Sequence, residues 1–373
     1  MATFLAAVRG RRAPAAVVAL IAALAVAPGA LSQAALLNVQ DAIGLALFAC
    51  ATNLLIGYGG LVSFGQGAFY GIGAYTVALA WMHLNTSFWV TLVAAPLLGA
   101  VAALVVGLLA LRTRQLYFAL LTLAVSQLLY VIVQQQESFT GGADGVFGPM
   151  LPSFLLSSGN AYWFTLAVAA GGLLLLWQIA RSPFGMTLRA IRENRERAEA
   201  LGVNVFGHQL LAFTFSGFFC ALAGVLSVVW AQSANPNLFS WTESGYPIFM
   251  AVLGGQYTFL GPALGALIYE QARDVLLASF SDSQLVFGAV LLAIILAAPD
   301  GVAGLLGRGG RLLARRWPAR TAGGQRAAAG TAAAAGAGAG DGVRRQDRQD
   351  RHDARTGGQQ DRADGQEDRV ARS

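Results

Sequence analysis

Six uncharged polar residues lie inside long apolar runs of the sequence, where they could contact a polar solute within a membrane. They are Asn53, Ser63, Gln66, Thr122, Ser126 and Gln127. A polar side chain within a membrane span usually faces the bundle interior or a water-filled cavity. Because none of the six is charged, a path lined by them suits a neutral or zwitterionic solute. Each could instead hydrogen-bond a neighbouring helix, which is typically worth about 0.6 kcal/mol.

Residues that commonly support catalysis or metal binding are scarce. All 25 basic residues are Arg, so the chain has neither the Walker lysine that holds nucleotide phosphates nor an imine-forming amine. His83, His208 and His352 lie far apart, which argues against a zinc site. Cys50 and Cys220 each stand in an apolar stretch and are expected to be buried, inert thiols. The sequence therefore predicts no cofactor or metal bound by this chain and no active site.

The composition indicates a chain embedded in lipid. Hydrophobic residues make up 56% and charged residues 12% of the sequence, and the mean hydropathy is +0.57. Soluble domains contain about 25% charged residues. The net charge of +6 comes from arginines that flank apolar runs or fall near the end of the chain. That distribution is typical of membrane topology and does not indicate nucleic-acid binding.

Apolar runs predict the elements that must position the six polar residues. A span needs about 20 residues to cross the hydrocarbon core. Eight runs meet or approach this length: Pro14–Leu31, Ala42–Gly57, Leu61–Met82, Phe88–Leu111, Leu116–Val133, Ala161–Ala180, Leu210–Trp230 and Leu285–Ala298. A further apolar region, Tyr246–Phe280, is interrupted by glycines and Pro262. We expect it to be a hairpin of two short segments or a re-entrant pair. The predicted fold is an all-α, polytopic bundle of about eight full spans plus this broken hairpin, about ten segments in total.

Arginine positions predict the orientation of these spans. Cytoplasmic loops carry the excess of Lys and Arg. If successive runs cross the membrane in alternate directions, the arginines of the loops all fall on one side. These are Arg9, Arg11, Arg12, Arg112, Arg114 and the five arginines of 181–197. The loops of the other side, 32–41, 83–87, 134–160 and 231–245, contain no arginine. Both termini are therefore expected to be cytoplasmic. Residues 1–30 could alternatively be a signal peptide ending near Ala27, which would leave the later topology unchanged.

The chain divides by composition into three parts. Residues 1–40 contain a basic segment and the first span, residues 41–300 the main transmembrane domain, and residues 301–373 a cytoplasmic tail. The tail is rich in Ala and Gly and then in Arg, Asp and Gln. Such a composition cannot bury enough apolar surface to fold, so we expect disorder there.

The loop 181–209 has the pattern of an amphipathic helix from Pro183 to Leu201, with Gly202 as its stop. One stripe of the helix is apolar, and the other faces carry charges that can pair at i,i+4. The stripe comprises Phe184, Leu188, Ile191, Ala198 and Leu201, and the pairs are Arg192–Glu196, Glu193–Arg197 and Arg195–Glu199. The helix could lie on the membrane surface or enter the groove of a partner. We favour a partner protein, because glutamates nearly balance the arginines.

Glycines and alanines recur at four-residue steps that allow helix backbones to approach closely. These steps are Gly67–Gly71, Gly99–Ala103–Gly107, Gly217–Ala221 and Gly261–Gly265. The first lies in the Gly-rich run GYGGLVSFGQGAFYGIGAY at 57–75. Close packing of membrane helices is the simpler interpretation of that run, and a central path beside Ser63 and Gln66 is the alternative.

Residues 40–300 resemble the permease family of the branched-chain amino acid ABC importers, in particular its LivM-type half. The resemblance is carried by the Gly-rich run, by Arg112–Leu123 with Thr140–Gly145, by Ser182–Gly224, by Met250–Gly265 and by AAPDG at 297–301. Within Ser182–Gly224, the segment Glu193–Gly202 is similar to the coupling loop of such permeases. The blocks are collinear, which makes them more specific together than any single motif. The tail is a departure from the family pattern.

The resemblance implies a permease of the bacterial inner membrane that works with several partners. A separate ATPase would bind ATP and Mg²⁺ and receive the 183–201 helix in a cleft. A second, homologous permease half and a periplasmic binding protein are also expected, the latter near Thr140–Gly145 and Gln232–Tyr246. Branched-chain amino acids are the substrates that the resemblance implies, with urea, short amides or other amino acids as alternatives. An ion-coupled secondary transporter is the rival class, but it generally needs buried acids or histidines along its path.

Overall fold

The computed structural model describes residues 33–113, 115–148 and 151–279, together with Gly288 and Gly301. The predicted span Pro14–Leu31, the possible signal peptide, the predicted span Leu285–Ala298 apart from Gly288, and the predicted tail beyond Gly301 lie outside these residues. The helices of the described part are α1 (Gln33–Asn53), α2 (Gln66–Leu84), α3 (Phe88–Ala110), α4 (Gln115–Gln135), α5 (Glu137–Thr140), α6 (Ser158–Arg181), α7 (Pro183–Glu193), α8 (Arg195–Ala200), α9 (Val205–Ala231), α10 (Trp241–Gly254) and α11 (Gly261–Ser279). A π-helical turn, Leu54–Gly59, extends α1.

Five of these helices are long and apolar enough to cross a membrane. They are α1 with its π-helical turn, α3, α4, α6 and α9. The structure thus confirms a mostly helical architecture with five candidate spans. The predicted bounds are close for α3, α4 and α6, but the predicted start at Ala42 is wrong, because α1 begins at Gln33 and includes most of the predicted loop 32–41. Helix α2 covers most of the predicted run Leu61–Met82 but begins only at Gln66, because residues 60–65 are irregular.

Helices α1 and α9 form the centre of the bundle. Both are mostly buried, whereas α3, α4 and α6 expose most of their apolar residues, such as Val93, Leu109 and Leu120. Exposing an apolar helix face to water is unfavourable, whereas exposing the same face to lipid hydrocarbon is not. The exposed faces of α3, α4 and α6 are therefore suited to lipid or to another membrane subunit.

The predicted small-residue steps pack against one another, as expected. A Cβ added at Gly99 would collide with Ala221, and one added at Gly217 would collide with Ala103, so α3 and α9 meet along these residues. Because these residues are small, the backbones of the two helices approach closely and pack well, which stabilises helix pairs in membranes. Cys50 and Cys220 are buried in the same core, as predicted.

The broken region predicted within Tyr246–Phe280 is a pair of helices, α10 and α11, joined by the turn 255–260. Gly254 and Gly261 are in direct backbone contact, and Gly265 lies against the carbonyl of Met250. The hairpin begins earlier than predicted, at Trp241, and includes Pro247 within α10. Ser240 caps this start, since its hydroxyl accepts a hydrogen bond from the Glu243 amide at 3.2 Å.

Two very short strands connect the loops that contain no arginine. Strand β1 (Val146–Phe147) pairs antiparallel with β2 (Ser233–Ala234). Nearby, the His83 ring stacks on Phe139 at 4.9 Å between centroids. The structure therefore gathers the loops 83–87, 134–160 and 231–245 on one side of the bundle, as the arginine count predicted. We call it the arginine-free side.

The predicted single helix Pro183–Leu201 is wrong, because the segment forms two helices, α7 and α8, with a corner at Asn194. The Asn194 side chain accepts a hydrogen bond from the Arg197 amide at 2.8 Å and so caps α8. Asparagine side chains favour such caps over helix interiors. Of the three predicted ion pairs only Arg195–Glu199 forms in this described segment, at 2.9 Å, since the corner separates the partners of the other two.

The corner also shortens the predicted apolar stripe. Leu188, Ile191 and Ala198 are buried and Phe184 is half-buried, but Leu201 is 77% exposed. Pro183 opens α7 and Gly202 follows α8 with a φ of +83°, as predicted. The segment therefore keeps its amphipathic character, but only as far as Ala198.

Candidate functional site

Five of the six predicted polar residues are fully buried, and Gln127 is partly exposed. One of them, Ser126, begins a chain of polar contacts between helices. Ser126 on α4 donates to the carbonyl of Phe239 at 2.7 Å and lies 3.4 Å from the Ser244 hydroxyl. Ser244 on α10 in turn accepts from the Gly67 amide at 2.8 Å. The chain thus runs from α4 through α10 to the start of α2.

Gln66 continues this chain towards the centre of the bundle. Its Oε1 accepts from the Ser216 hydroxyl at 3.1 Å and from the Cys220 thiol at 3.2 Å. Ser216 also lies 2.8 Å from the carbonyl of Ala51 on α1. Asn53, two residues further along α1, abuts Gly57 in the π-helical turn.

Thr122 and Ser63 organise the irregular segment 60–65 beside the chain. The Thr122 hydroxyl accepts from the Phe64 amide at 3.2 Å and donates to the carbonyl of Ala119 at 2.9 Å. Ser63 accepts from the Gly65 amide at 3.3 Å. These two side chains therefore use their hydrogen bonds locally.

Three of the predicted residues carry a side-chain atom that is buried and has no hydrogen-bond partner within the described part of the chain. The atoms are Asn53 Oδ1, Gln66 Nε2 and Gln127 Oε1. A buried polar atom without a partner typically costs about 1–3 kcal/mol, so its presence calls for an explanation. Gln66 belongs to the chain of polar contacts, Gln127 is next to Ser126 in the sequence, and Asn53 lies two residues beyond Ala51. We therefore take the chain and its two neighbours as the candidate path for a polar solute.

An open cavity of about 430 Å³ lies at the Gln127 end of the chain, on the arginine-free side. It occupies the angle between α4 and the segment that leads into α10. Its lining residues are Gln127, Tyr130, Asn237, Ser240, Trp241, Thr242, Glu243 and Tyr246. We call it the outer pocket. Its volume falls within the range of small-ligand sites, about 300–1,000 Å³.

Glu243 supplies the carboxylate of the outer pocket. It lies in the first turn of α10, within the predicted loop 231–245. Burial raises the pKa of its carboxyl to about 7, which Arg273 opposes and Glu270 reinforces. Glu270 and Arg273 pair with each other at 3.5 Å.

Sequence reasoning missed most of the outer pocket and Ser244. These residues were assigned to a loop because the apolar run begins only near Tyr246. The spacing of Ser240 and Glu243 is a capping-box pattern, a serine followed three residues later by a glutamate. That signal could have placed the start of α10 at Trp241.

The other end of the bundle carries the arginine-bearing helices α7 and α8, and we call it the arginine side. The Arg192 guanidinium donates to the carbonyl of Gly57 and lies 4.6 Å from the Tyr257 ring centroid. Gly57 belongs to the π-helical turn and Tyr257 to the turn of the α10–α11 hairpin. Arg192 therefore connects α7 both to the π-helical turn that follows α1 and to the turn between α10 and α11.

Further contacts reinforce this junction. The Arg189 guanidinium lies 4.4 Å from the Tyr58 ring centroid. Gly60 has a φ of +67°, and a Cβ there would lie 2.8 Å from Cγ of Arg192. Cys50 donates to the carbonyl of Phe259 in the hairpin turn, at 3.6 Å. The junction is therefore closely packed and leaves no space for a bulkier residue at position 60.

The remaining predicted coupling residues face away from the bundle. Glu193, Arg195, Glu196, Arg197 and Glu199 are all exposed. Met186 and Leu201 expose 61% and 77% of their surfaces beside them. The outer surface of α7 and α8 thus combines charges of both signs with exposed apolar side chains.

Comparison with known proteins gives a consistent set of relatives. The family model described as "Branched-chain amino acid transport system / permease component" matches residues 36–299. The chain is 26% identical to the high-affinity branched-chain amino acid transport permease protein LivM of Salmonella typhimurium, over 74% of this chain and 70% of that protein. It is 28% identical to the LivH permease protein of the same bacterium, over 69% of this chain and 91% of that protein.

A more distant similarity extends to another import system. The autoinducer 2 import system permease protein LsrC of Salmonella typhi is 32% identical over 125 residues, which is 31% of this chain and 33% of that protein. No solved structure matches the chain significantly.

Proposed function

Because the chain belongs to the family of branched-chain amino acid transport permease components, we propose that it is the membrane permease subunit of an ATP-driven importer. In this proposal it moves branched-chain or related amino acids across the bacterial inner membrane by alternating access. The observation that carries the proposal is the Arg192 junction, in which a residue of α7 contacts both the π-helical turn at Gly57 and the hairpin turn at Tyr257.

The arginine side is the proposed docking surface for the ATPase. Exposed glutamates, arginines, Met186 and Leu201 give α7 and α8 a mixed surface that fits a protein cleft better than an anionic lipid surface. ATP and Mg²⁺ would be bound by that partner. Displacement of α7 would reach the π-helical turn and the hairpin turn through Arg192.

The arginine-free side is the proposed entry face. There β1 and β2 hold the loops together, and the outer pocket opens beside them. A periplasmic binding protein would deliver substrate to this side, close to Thr140–Gly145 and Gln232–Tyr246. The proposed topology has both termini in the cytoplasm and about eight full spans plus the α10–α11 hairpin.

A second permease half is part of the proposal. The similarity of this chain to both LivM and LivH proteins supports a pair of related permeases. The exposed apolar faces of α3, α4 and α6 offer surface for that partner as well as for lipid.

The substrate could differ within the same mechanism. Urea, short amides and other amino acids remain alternatives, and the similarity to an autoinducer 2 permease supports diversity of cargo among related chains. The uncharged polar residues of α1, α2 and α4 are compatible with any uncharged or zwitterionic solute.

Ion-coupled transport is a second candidate function with an observation in its favour. Asp41 on α1 and Glu270 on α11 are 8% and 4% exposed, so two acids are buried within helices. Buried acids within spans are typical of proton-coupled carriers.

Uptake into proteoliposomes separates the two functions. The vesicles would contain the complete transporter, with ATP supplied and all ion gradients collapsed by ionophores. We expect labelled leucine to accumulate only when ATP is hydrolysed. Accumulation driven by an imposed proton gradient without ATP would refute the ATP-driven function and support the ion-coupled one.

A further inference from the structure

We propose that the outer pocket binds a primary ammonium group, with Glu243 as its counter-charge. The inference deepens the proposed function, because it takes the ammonium to be that of an amino acid substrate arriving on the arginine-free side. It rests on the charge, the rings and the unpaired acceptor that line the cavity.

The lining of the pocket favours a cation. Glu243 is the charged residue among the lining residues, and no arginine or histidine is among them in this described part of the chain. A carboxylate that forms a charge-assisted hydrogen bond is the strongest acceptor available to an ammonium group. An anionic ligand would instead be repelled by Glu243.

Aromatic residues form the walls beside this carboxylate. Tyr130, Trp241 and Tyr246 line the same cavity. The faces of aromatic rings attract cations, and Trp is the strongest of them. Three such rings around one carboxylate offer an ammonium group a partly desolvated site.

Gln127 adds an acceptor at the inner edge of the pocket. Its Oε1 is buried and has no partner within residues 33–113, 115–148 and 151–279. An ammonium group has three donors, so a turn of the Gln127 amide towards the cavity would offer it Oε1 as a second acceptor beside the Glu243 carboxylate. Gln127 is also next to Ser126, where the polar chain into the bundle begins.

The start of α10 does not compete as an anion site. The amides of Glu243 and Ser244 already donate to the hydroxyl and carbonyl oxygens of Ser240, at 3.2 and 3.3 Å. Helix N-termini attract anions through such free amides, and here two of them are occupied. The carboxylate of an amino acid would therefore point away from this end of the pocket.

Binding to three probes of similar shape tests the proposal. Leucine carries both charged groups, isoamylamine lacks the carboxylate, and isocaproate lacks the ammonium. The complete transporter, in phosphatidylglycerol nanodiscs without binding protein or ATP, would be titrated with each probe by saturation-transfer NMR. We expect leucine and isoamylamine to bind and isocaproate not to bind.

A matched pair of variants assigns the binding to the pocket. Glu243→Gln should weaken binding of isoamylamine by about tenfold or more, because a charge-assisted hydrogen bond is lost. Glu137→Gln, at an exposed glutamate of the same side that does not line the pocket, should bind as wild type. Equal binding by Glu243→Gln and wild type, or binding of isocaproate, would overturn the proposal.

The headgroup of phosphatidylethanolamine is a second source of a primary ammonium. Adding this lipid to the nanodiscs distinguishes the sources: if it displaces isoamylamine in wild type, the pocket binds the lipid ammonium as well. Binding is measured without ATP, so its failure leaves ATP-driven uptake untouched. Failure of that uptake would refute the proposed function without altering the binding result.

Discussion

The two ends of this bundle use polar groups in opposite ways. On the arginine side, Arg192 is held between the carbonyl of Gly57 and the ring of Tyr257, with Gly60 packed against its stem. On the arginine-free side, Glu243 and Gln127 border an open cavity of about 430 Å³. A closely packed junction transmits displacement, whereas an open pocket with a free acceptor admits a ligand.

Helix α10 and its hairpin connect the two ends. The helix begins at the outer pocket with Trp241, and its hairpin turn places Tyr257 beside Arg192. Fourteen residues of helix span about 21 Å at about 1.5 Å each. A movement at one end is therefore carried to the other by a single short element. The following experiments change either this element or one of the two ends that it connects.

Breaking the hairpin should have the largest effect. Gly254→Ala places a Cβ onto the carbonyl oxygen of Gly261, and such overpacking costs about 3 kcal/mol. We expect a large loss of folded protein, measured as the fraction that remains monodisperse on gel filtration after heating in detergent. Gly171→Ala is the control, because nothing lies within 4 Å of a Cβ at that position. Equal thermal survival of the two variants would show that the hairpin contact is unimportant.

Removing the Arg192 junction should uncouple the two ends. Arg192→Gln loses a charged hydrogen bond and a ring contact, together worth about 2–4 kcal/mol. We expect uptake per ATP hydrolysed to fall by about tenfold or more while ATP hydrolysis continues. The control is Arg112→Gln, at an exposed arginine between α3 and α4 that belongs to neither α7 nor α8, and this variant should transport as wild type. Coupled transport at the wild-type ratio in Arg192→Gln would contradict a linking role.

Protonation of Glu243 should lower the affinity of the outer pocket for an ammonium group without affecting the arginine side. Its raised pKa of about 7 means that the carboxylate fraction rises about tenfold between about pH 6 and about pH 8. Arg273 and Glu270 on α11 are the charged groups that act on it. Isoamylamine should therefore bind about tenfold more tightly at the higher pH, as NMR titration would show. In Glu243→Gln this pH dependence should disappear, and its persistence would assign it to another group.

The smallest effect is expected at the corner between α7 and α8. Asn194→Ala removes the cap on the Arg197 amide, which typically costs about 1 kcal/mol. We expect weaker binding of the ATPase, by about fivefold, in pull-down titrations of the detergent-solubilised permease. Asn194→Ser retains a capping oxygen and should bind almost as wild type. If both variants bind equally weakly, the corner acts through something other than its cap.

Hydropathy predicted several helices closely because membrane insertion depends on the apolar length of a segment. The predicted Phe88–Leu111 corresponds to α3, Phe88–Ala110, and the predicted Leu116–Val133 to α4, Gln115–Gln135. The start of α10 was missed because Glu243 and Ser244 lower the hydropathy there. The corner at Asn194 was missed because apolar periodicity continued through it, although a side-chain cap interrupts the helix.

The candidate site was predicted only in part for a related reason. Hydropathy identifies polar residues inside predicted spans, such as Gln66 and Ser126, because the free energy of transferring a side chain into lipid does not depend on its neighbours. Their partners, Ser216 and Ser244, lie 150 and 118 residues away along the chain. No local spacing predicts such a contact.

The sequence by itself determined a lysine-free, helical membrane chain, the side of its arginines, its small-residue packing stripes and its family resemblance. These follow from composition and periodicity, because transfer into lipid is nearly additive along a helix. Only the tertiary structure decided that Arg192 contacts both the π-helical turn and the hairpin turn, that Ser126 and Gln66 belong to one chain of polar contacts, and that Glu243 borders a pocket. Those features depend on which helices meet, and helix contacts in a membrane are set by close packing and hydrogen bonds between distant segments.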